Sequence, residues 1–164
     1  MKRWVWVLAI LAAQLGACTA SGDFTGPDSL RANRTVSGIT YRADTRVMES
    51  FPVRLGPTVS VRNDSGTPRT IRFPDGCVVL LRVYTEPERT GQPAWDQART
   101  VGCFQAIQEV DLAPGDTATL AGGTIGAAEI LGDSLPAGRY YFTVVLRPDG
   151  QVLELAAGAA DLAQ

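Results

Sequence analysis

The stretch YYFTVVLRPDGQVLEL, residues 140–155, carries the clearest indication of the fold. Its first seven residues are aromatic, β-branched or aliphatic, which is the composition enriched in β-strands. Pro-Asp-Gly at 148–150 supplies residues suited to a tight turn, and the alternating run QVLEL follows it. The stretch therefore predicts an antiparallel β-hairpin late in the sequence.

Upstream of this hairpin, apolar and polar residues alternate with a period of two in several short runs. These runs are TVSVRND at 58–64, RTIRF at 69–73, VVLLRVY at 78–84 and TATLA at 117–121. Turn-forming residues separate them at 63–66, 74–76 and 112–116. Short strands with turns at such close intervals predict an all-β antiparallel sandwich.

Two regions depart from this pattern. Residues 93–110 favour a helical turn between Trp95 and Ala98, then a long loop and a bulged strand, because Phe104 and Ile107 break strict alternation. Residues 121–134 are irregular and rich in glycine, but these glycines do not form a phosphate-binding motif.

The N-terminal segment has the features of an export signal. Met1, Lys2 and Arg3 form a short positive region, and the apolar run 4–13 is too short for the roughly 20 residues that a bilayer-spanning helix needs. A charged start, a short apolar stretch and small residues after it are typical of a secretory signal peptide.

The end of that segment, Leu-Gly-Ala-Cys at 15–18, resembles a bacterial lipobox. The resemblance implies cleavage after residue 17 and lipidation of Cys18, which would anchor the chain to a membrane. An ordinary signal peptide with a chance cysteine is the alternative. We expect a signal peptide at 1–17, lipidated Cys18 and a flexible tether at 18–35, and a β-sandwich domain at 36–164. We further expect an exported lipoprotein of the cell envelope, and Thr19 favours the periplasmic face of the outer membrane.

Composition excludes several classes of chemistry. The chain has no histidine, and Lys2 is its only lysine, so Ser-His-Asp machinery, histidine-based metal sites and Schiff-base catalysis are ruled out for the mature chain. The formal net charge is −2. No basic stripe is visible along the sequence, so we expect no nucleic-acid partner, and we expect no metal and no cofactor.

With Cys18 lipidated, Cys77 and Cys103 remain as an even pair. In an oxidising compartment such a pair favours a disulfide, and two buried free thiols are the alternative.

Residues 59–157 resemble the BsuPI-type intracellular proteinase inhibitor domain. Four segments carry the resemblance: the strand VSVRNDS at 59–65, the turn FPDG at 73–76, the element at 104–116 that ends in LAPGD, and LPAGRY at 135–140. The family resemblance implies an immunoglobulin-like antiparallel β-sandwich of about 7–9 strands and an inhibitor activity.

The sequence leaves three functions open. In the first, the chain is a lipid-anchored binding module that could inhibit a serine protease through an exposed loop at 84–103. Arg89, Trp95 and Arg99 lie in that loop, and Trp and Arg are favoured interface anchors. The alternative for Trp95 is that it packs over the edge of the sandwich.

In the second, the chain is a structural accessory lipoprotein that binds a protein partner through a sheet edge. In the third, it is an enzyme built on carboxylates such as Asp149 and Glu154. These two lie on the predicted hairpin, where solvated turn charges are the simpler interpretation, so we expect a non-enzymatic protein with no catalytic residue.

Overall fold

The computed structural model describes residues 31–49 and 52–163. The predicted signal peptide, Cys18 and the tether up to residue 30 lie outside the described residues. The first strand begins at Asn33, so regular structure starts three residues before the domain boundary expected from the sequence. None of the described helical segments has the length and apolar character that crossing a bilayer requires.

Two antiparallel sheets form the body of the molecule. The first sheet has the order β1-β2-β3-β8, with β9 also pairing with β3. Its strands are β1 (Asn33–Val36), β2 (Ile39–Met48), β3 (Arg54–Asn63), β8 (Thr117–Ala121) and β9 (Ile125–Gly126). The second sheet has the order β11-β10-β5-β6. Its strands are β5 (Leu80–Tyr84), β6 (Trp95–Asp96), β10 (Gly138–Leu146) and β11 (Leu153–Leu162).

A third, two-stranded sheet pairs β4 (Arg69–Phe73) with β7 (Gln108–Leu112). One short helix, α1 (Ala127–Leu131), follows β9 and buries Ile130 and Leu131. The prediction of an all-β antiparallel sandwich is confirmed. The described residues contain 11 strands, and β6 and β9 have only two residues each.

The core lies between the inward faces of the two large sheets. Along β2 and β3, buried and more exposed residues alternate, as expected for strands with one face against a core and one toward solvent. Strand β10 is different, because its last five residues are all buried. β10 lies between β5 and β11 in the second sheet, and this central position explains why these residues are buried.

Strand β10 begins with a hydrogen bond that is characteristic of immunoglobulin-like sandwiches. The hydroxyl of Tyr140 donates to the carbonyl of Pro136 at 2.5 Å, four residues upstream. A tyrosine at the start of a strand that bonds back to the preceding corner is known as a tyrosine corner. The contact fixes the angle at which the chain enters β10.

The sheets are also joined by a buried side chain at the end of β3. Asn63 is fully buried, and its amide nitrogen donates to the carbonyls of Thr67 at 2.8 Å and Leu112 at 3.0 Å. Its side-chain oxygen accepts from the backbone nitrogen of Ser65 at 3.0 Å. Asn63 thereby connects β3, the turn into β4 and the end of β7.

We predict that Asn63→Ala lowers the free energy of unfolding by about 3 kcal/mol, since it removes one buried and two partly buried hydrogen bonds, and a buried group left without a partner costs about 1–3 kcal/mol. Urea denaturation followed by circular dichroism measures the change. Asn33→Ala is the matched control, because Asn33 is exposed in β1. A similar loss in both variants would contradict the role assigned to Asn63.

Candidate protein-binding surface

Most of the loop expected to carry the binding site, residues 84–103, is exposed, but two of the three residues expected to bind a partner contact the domain. Trp95 lies in β6, is half-buried, pairs with Val83 of β5 and packs against the core. The helical turn expected near it is a 3-10 turn at Gln97–Arg99, and Arg99 is exposed at its end.

Arg89 is held by backbone acceptors of the second sheet. Its Nε donates to the carbonyl of Phe142 at 3.2 Å, and its Nη2 donates to that of Gly158 at 3.3 Å. The guanidinium carbon lies 5.6 Å from the centroid of the Tyr141 ring, within the range of a cation–π contact. Burial lowers the pKa of Arg89. Arg89 and Trp95 are therefore built into the domain, and the three residues do not form one exposed site.

Exposed apolar side chains are found instead at residues 101–107, which we call the Phe104 segment. Phe104 is 67% exposed, Ile107 is 70% exposed and Val101 is 37% exposed. Residues 101–107 have no regular secondary structure. Large apolar groups left in water at neighbouring positions often mark an interaction surface.

Covalent and hydrogen bonds fix the Phe104 segment to the domain. The predicted disulfide between Cys77 and Cys103 is present, with the Cα atoms 5.4 Å apart. Next to it, the backbone nitrogen of Gly76 donates to the carbonyl of Phe104 at 3.0 Å. The nitrogen of Ala106 also donates to that carbonyl at 3.0 Å, which bends the chain in a γ-turn.

The ring of Phe104 rests on the backbone of Gly76. A Cβ atom at Gly76 would lie 2.3 Å from Cζ of Phe104, so only glycine allows this close approach. The ring is thus held in position although two thirds of its surface is exposed. The sequence signal for this site was the break in alternation at Phe104 and Ile107, which predicted a bulge but did not identify a surface.

The two ends of the Phe104 segment are also anchored. Gln97 is buried, and its carbonyl accepts from the nitrogens of Thr100 at 2.9 Å and Val101 at 3.1 Å. Its side-chain oxygen accepts from the nitrogen of Leu81 at 2.9 Å, which ties the turn to β5. After the segment, β7 pairs with β4 from Gln108 onward.

Strand β7 offers a second possible contact surface. It pairs with β4 on one side, and no strand among the described residues pairs with its other edge. Charged groups accompany it, since Glu109 forms an ion pair with Arg72 at 2.8 Å and Asp111 accepts from the Thr70 hydroxyl at 2.6 Å. Charged side chains on an edge strand disfavour uncontrolled pairing with other chains.

The two carboxylates singled out from the sequence and the two described cysteines are already bonded. Asp149 accepts from the backbone nitrogen of Arg72 at 3.1 Å, and Glu154 forms an ion pair with Arg82. These two carboxylates have separate partners and form no common site. Side-chain ligand atoms of Asp75, Cys77 and Cys103 lie within 4.8 Å of one another, but both sulfurs belong to the disulfide and are not free thiolates.

A small cavity of about 160 Å³ lies near the turn between β10 and β11. Ile39, Ile71 and Leu153 form apolar parts of its wall, and Tyr41 and Asp149 add polar groups. Tyr41 is only 2% exposed. Burial, together with the negative charge of Asp149, raises the pKa of Tyr41 to about 12.

Comparison with known proteins gives little guidance. No protein-family model matches the chain, and no curated protein matches it. Among solved structures, beta-glucosidase 3B from Thermotoga neapolitana is 12% identical with a TM-score of 0.38, covering 80% of this chain and 18% of that one.

Two further beta-glucosidases are similarly distant. DesR from Streptomyces venezuelae is 13% identical with a TM-score of 0.39, over 79% of this chain and 16% of that one. The enzyme from Kluyveromyces marxianus is 13% identical with a TM-score of 0.39, over 80% of this chain and 15% of that one. The chain spans less than a fifth of the length of these enzymes, and likeness this distant supports no shared activity.

We predict that replacing both Cys77 and Cys103 with serine lowers the free energy of unfolding by about 3.5 kcal/mol. The two residues are 26 positions apart, and the entropy of closing a loop of that length in the unfolded chain sets this magnitude. Urea denaturation measures the loss, and reduction of the wild-type protein should reproduce it. Unchanged stability in the double variant would show that other contacts fix the loop.

A second prediction concerns alkaline pH. Tyr41 holds its proton more tightly in the folded state than in the unfolded state. Its contribution to the free energy of unfolding is therefore complete below pH 10 and declines as the pH rises toward its folded pKa of about 12. Between pH 9 and pH 11 the wild-type protein should therefore lose about 1 kcal/mol more unfolding free energy than Tyr41→Phe. Urea denaturation at the two pH values tests this, and equal losses in both proteins would contradict it.

Proposed function

We propose that this chain is a lipid-anchored binding module of the bacterial cell envelope, which contacts a protein partner through the Phe104 segment. The exposure of Phe104 and Ile107 on a segment that is fixed at several points is the observation that carries this proposal. Apolar side chains of this size become favourable anchors when a partner removes them from water.

Rigidity supports the same proposal. Binding costs less free energy when the contact residues are already ordered, because less conformational entropy is lost on association. The disulfide, the γ-turn and the packing of Phe104 on Gly76 each restrict the segment before any partner arrives. The lipid at Cys18 would confine this surface to the membrane, at the periplasmic face of the outer membrane.

Inhibition of a serine protease is the form of binding that the resemblance to the BsuPI-type inhibitor domain favours. An inhibitor needs an exposed segment that keeps its shape in the active-site cleft of its target, and the Phe104 segment meets that requirement better than residues 84–95. No catalytic role is proposed for any residue, and we propose that the chain is not an enzyme.

An accessory envelope role through a sheet edge is the second candidate. The edge of β7 without a strand partner favours it, because an extended peptide can add to such an edge through backbone hydrogen bonds. The two candidates place the partner at adjacent but distinct positions, on side chains of residues 101–107 or along the backbone of β7.

We predict that the disulfide-intact protein reduces the activity of a subtilisin-like or trypsin-like serine protease in stoichiometric titration. The double variant Phe104→Ser, Ile107→Ser should need at least about tenfold more protein, because each anchor contributes on the order of 1 kcal/mol or more. Val152→Ser is the matched control, since Val152 is also apolar and 59% exposed but lies outside the segment.

Lack of inhibition across the panel would make the inhibitor role wrong. A photo-crosslinking residue placed at 104 or at 109 would then distinguish the two binding modes in intact envelopes. A crosslinked partner from 104 that is lost in the Ile107→Ser variant would support the Phe104 segment. Crosslinks from 109 alone would support the edge of β7.

A further inference from the structure

The outer face of the first sheet carries a concentration of arginines that is hidden in the sequence. Directly opposed residues of antiparallel strands lie on the same face of a sheet. Arg42 is opposite Ser60, Arg46 is opposite Gly56, Arg54 is opposite Met48 and Arg62 is opposite Thr40. All four arginines are exposed, whereas the intervening residues of β2 and β3 point to the core. We call this surface the arginine face.

No basic stripe is visible along the sequence, because these arginines share one face only when β2 and β3 pair. The strands of the first sheet contain five arginines and one acidic residue, Asp44. The other described residues contain eight arginines and fourteen acidic residues. The molecule is acidic in total but strongly polarised, with a positive sheet and a negative remainder.

Neighbouring carboxylates neutralise only part of the arginine face. Asp44 is bonded to Arg31 at 2.8 Å, and Asp64 is bonded to Arg62 at 2.9 Å. Within the described ranges, Arg42, Arg46 and Arg54 have no carboxylate within ion-pair distance. Their charge remains available to an external anion.

The arrangement of the arginines is two-dimensional. Arg46 and Arg54 are diagonal neighbours on adjacent strands, roughly 7–8 Å apart, and Arg42 and Arg62 have the same relation. Arg42 and Arg46 are four residues apart on one strand, which corresponds to about 14 Å. The hydroxyls of Ser60 and Thr119, which share the face, can donate further hydrogen bonds.

We propose that the arginine face docks onto an anionic lipid membrane. Arginine binds phosphate oxygens through two parallel N–H groups, and a flat face with separated cations can contact several lipid headgroups at once. A single nucleic-acid strand would need aromatic platforms for stacking, and the outward positions of β2, β3 and β8 include no aromatic residue.

The inference goes beyond the proposed protein-binding function and does not depend on it. The Phe104 segment shares no residue with the arginine face. A basic patch would also complement a lipid anchor, because stable membrane attachment generally needs two signals. The anionic surface would then orient the domain, with the acidic remainder of the molecule directed away from the membrane.

Vesicle partitioning of the full chain tests this proposal. We expect tighter binding to vesicles of 30% phosphatidylglycerol in phosphatidylcholine than to pure phosphatidylcholine, by about tenfold or more at low salt, since each arginine near an anionic surface adds roughly fivefold. The preference should fall as sodium chloride is raised, because salt screens surface charge. The N-terminal segment is present in all samples, so it does not account for differences between variants.

The triple variant Arg42→Ser, Arg46→Ser, Arg54→Ser should lose at least about tenfold of the preference for anionic vesicles. The control variant Arg69→Ser, Arg139→Ser, Arg147→Ser changes the net charge equally at exposed positions outside the arginine face and should change the preference less than about twofold. Circular dichroism verifies that both variants fold.

Three outcomes would overturn the proposal. One is equal binding of the wild-type protein to both kinds of vesicle, a result that needs no variant. Another is an equal loss in both triple variants, which would indicate net charge and not a specific face. The third is tighter binding of an anionic polysaccharide than of anionic vesicles, which would assign the face to a different partner.

Discussion

The buried carboxamide of Asn63 is the contact on which the assembly of the sheets depends. Asn63 ends β3, and its backbone groups also bond to the turn that leads into β8. An amide has both donors and an acceptor, so one side chain can bond to carbonyls of the turn after β3 and of β7 and to a backbone nitrogen at the same time. An apolar residue of similar size would leave the buried carbonyl of Leu112 without this partner.

The hydrogen bonds of Asn63 also help to position the two proposed contact surfaces. The hydrogen bond from Asn63 to the carbonyl of Leu112 holds the end of β7 beside β3, and β7 directly follows the Phe104 segment. The disulfide and Gly76 fix the beginning of the segment against the small sheet. The proposed protein contact lies just before β7 of the small sheet, and the proposed membrane contact lies on the first sheet, whose strand β3 is bonded to β7 through Asn63.

Local patterns in the sequence predicted a large part of the fold. The runs RTIRF and TATLA coincide with β4 and β8 because β-branched residues and alternation are properties of adjacent residues. Helix α1 was not predicted, since its five residues lie in a glycine-rich stretch too short to show helical periodicity. The assignment of strands to sheets was not predicted either, because pairing joins residues that are distant in sequence.

Contacts between residues that are distant in sequence also explain why the position of Arg89 and the arginine face were not predicted. Arg89 has a positive φ of 53°, and two of its acceptors, the carbonyls of Phe142 and Gly158, lie more than fifty residues away in the sequence. The arginine face arises only when β2 and β3 pair in one particular register. Composition averages the charge over the chain, whereas the fold gathers four exposed arginines on one face of the first sheet.

The connection between the two ends of the described chain has a consequence for biosynthesis. Arg31 forms an isolated antiparallel β-bridge with Ala157, and the backbone nitrogen of Ala32 donates to the carbonyl of Ala156 at 3.2 Å. β1, β2 and β3 pair with one another, whereas a ribosome delivers β11 after every other described strand. Long-range closure of this kind slows folding. The contact of Arg31 and Ala32 with β11 can therefore form only after almost all of the described chain has been synthesised.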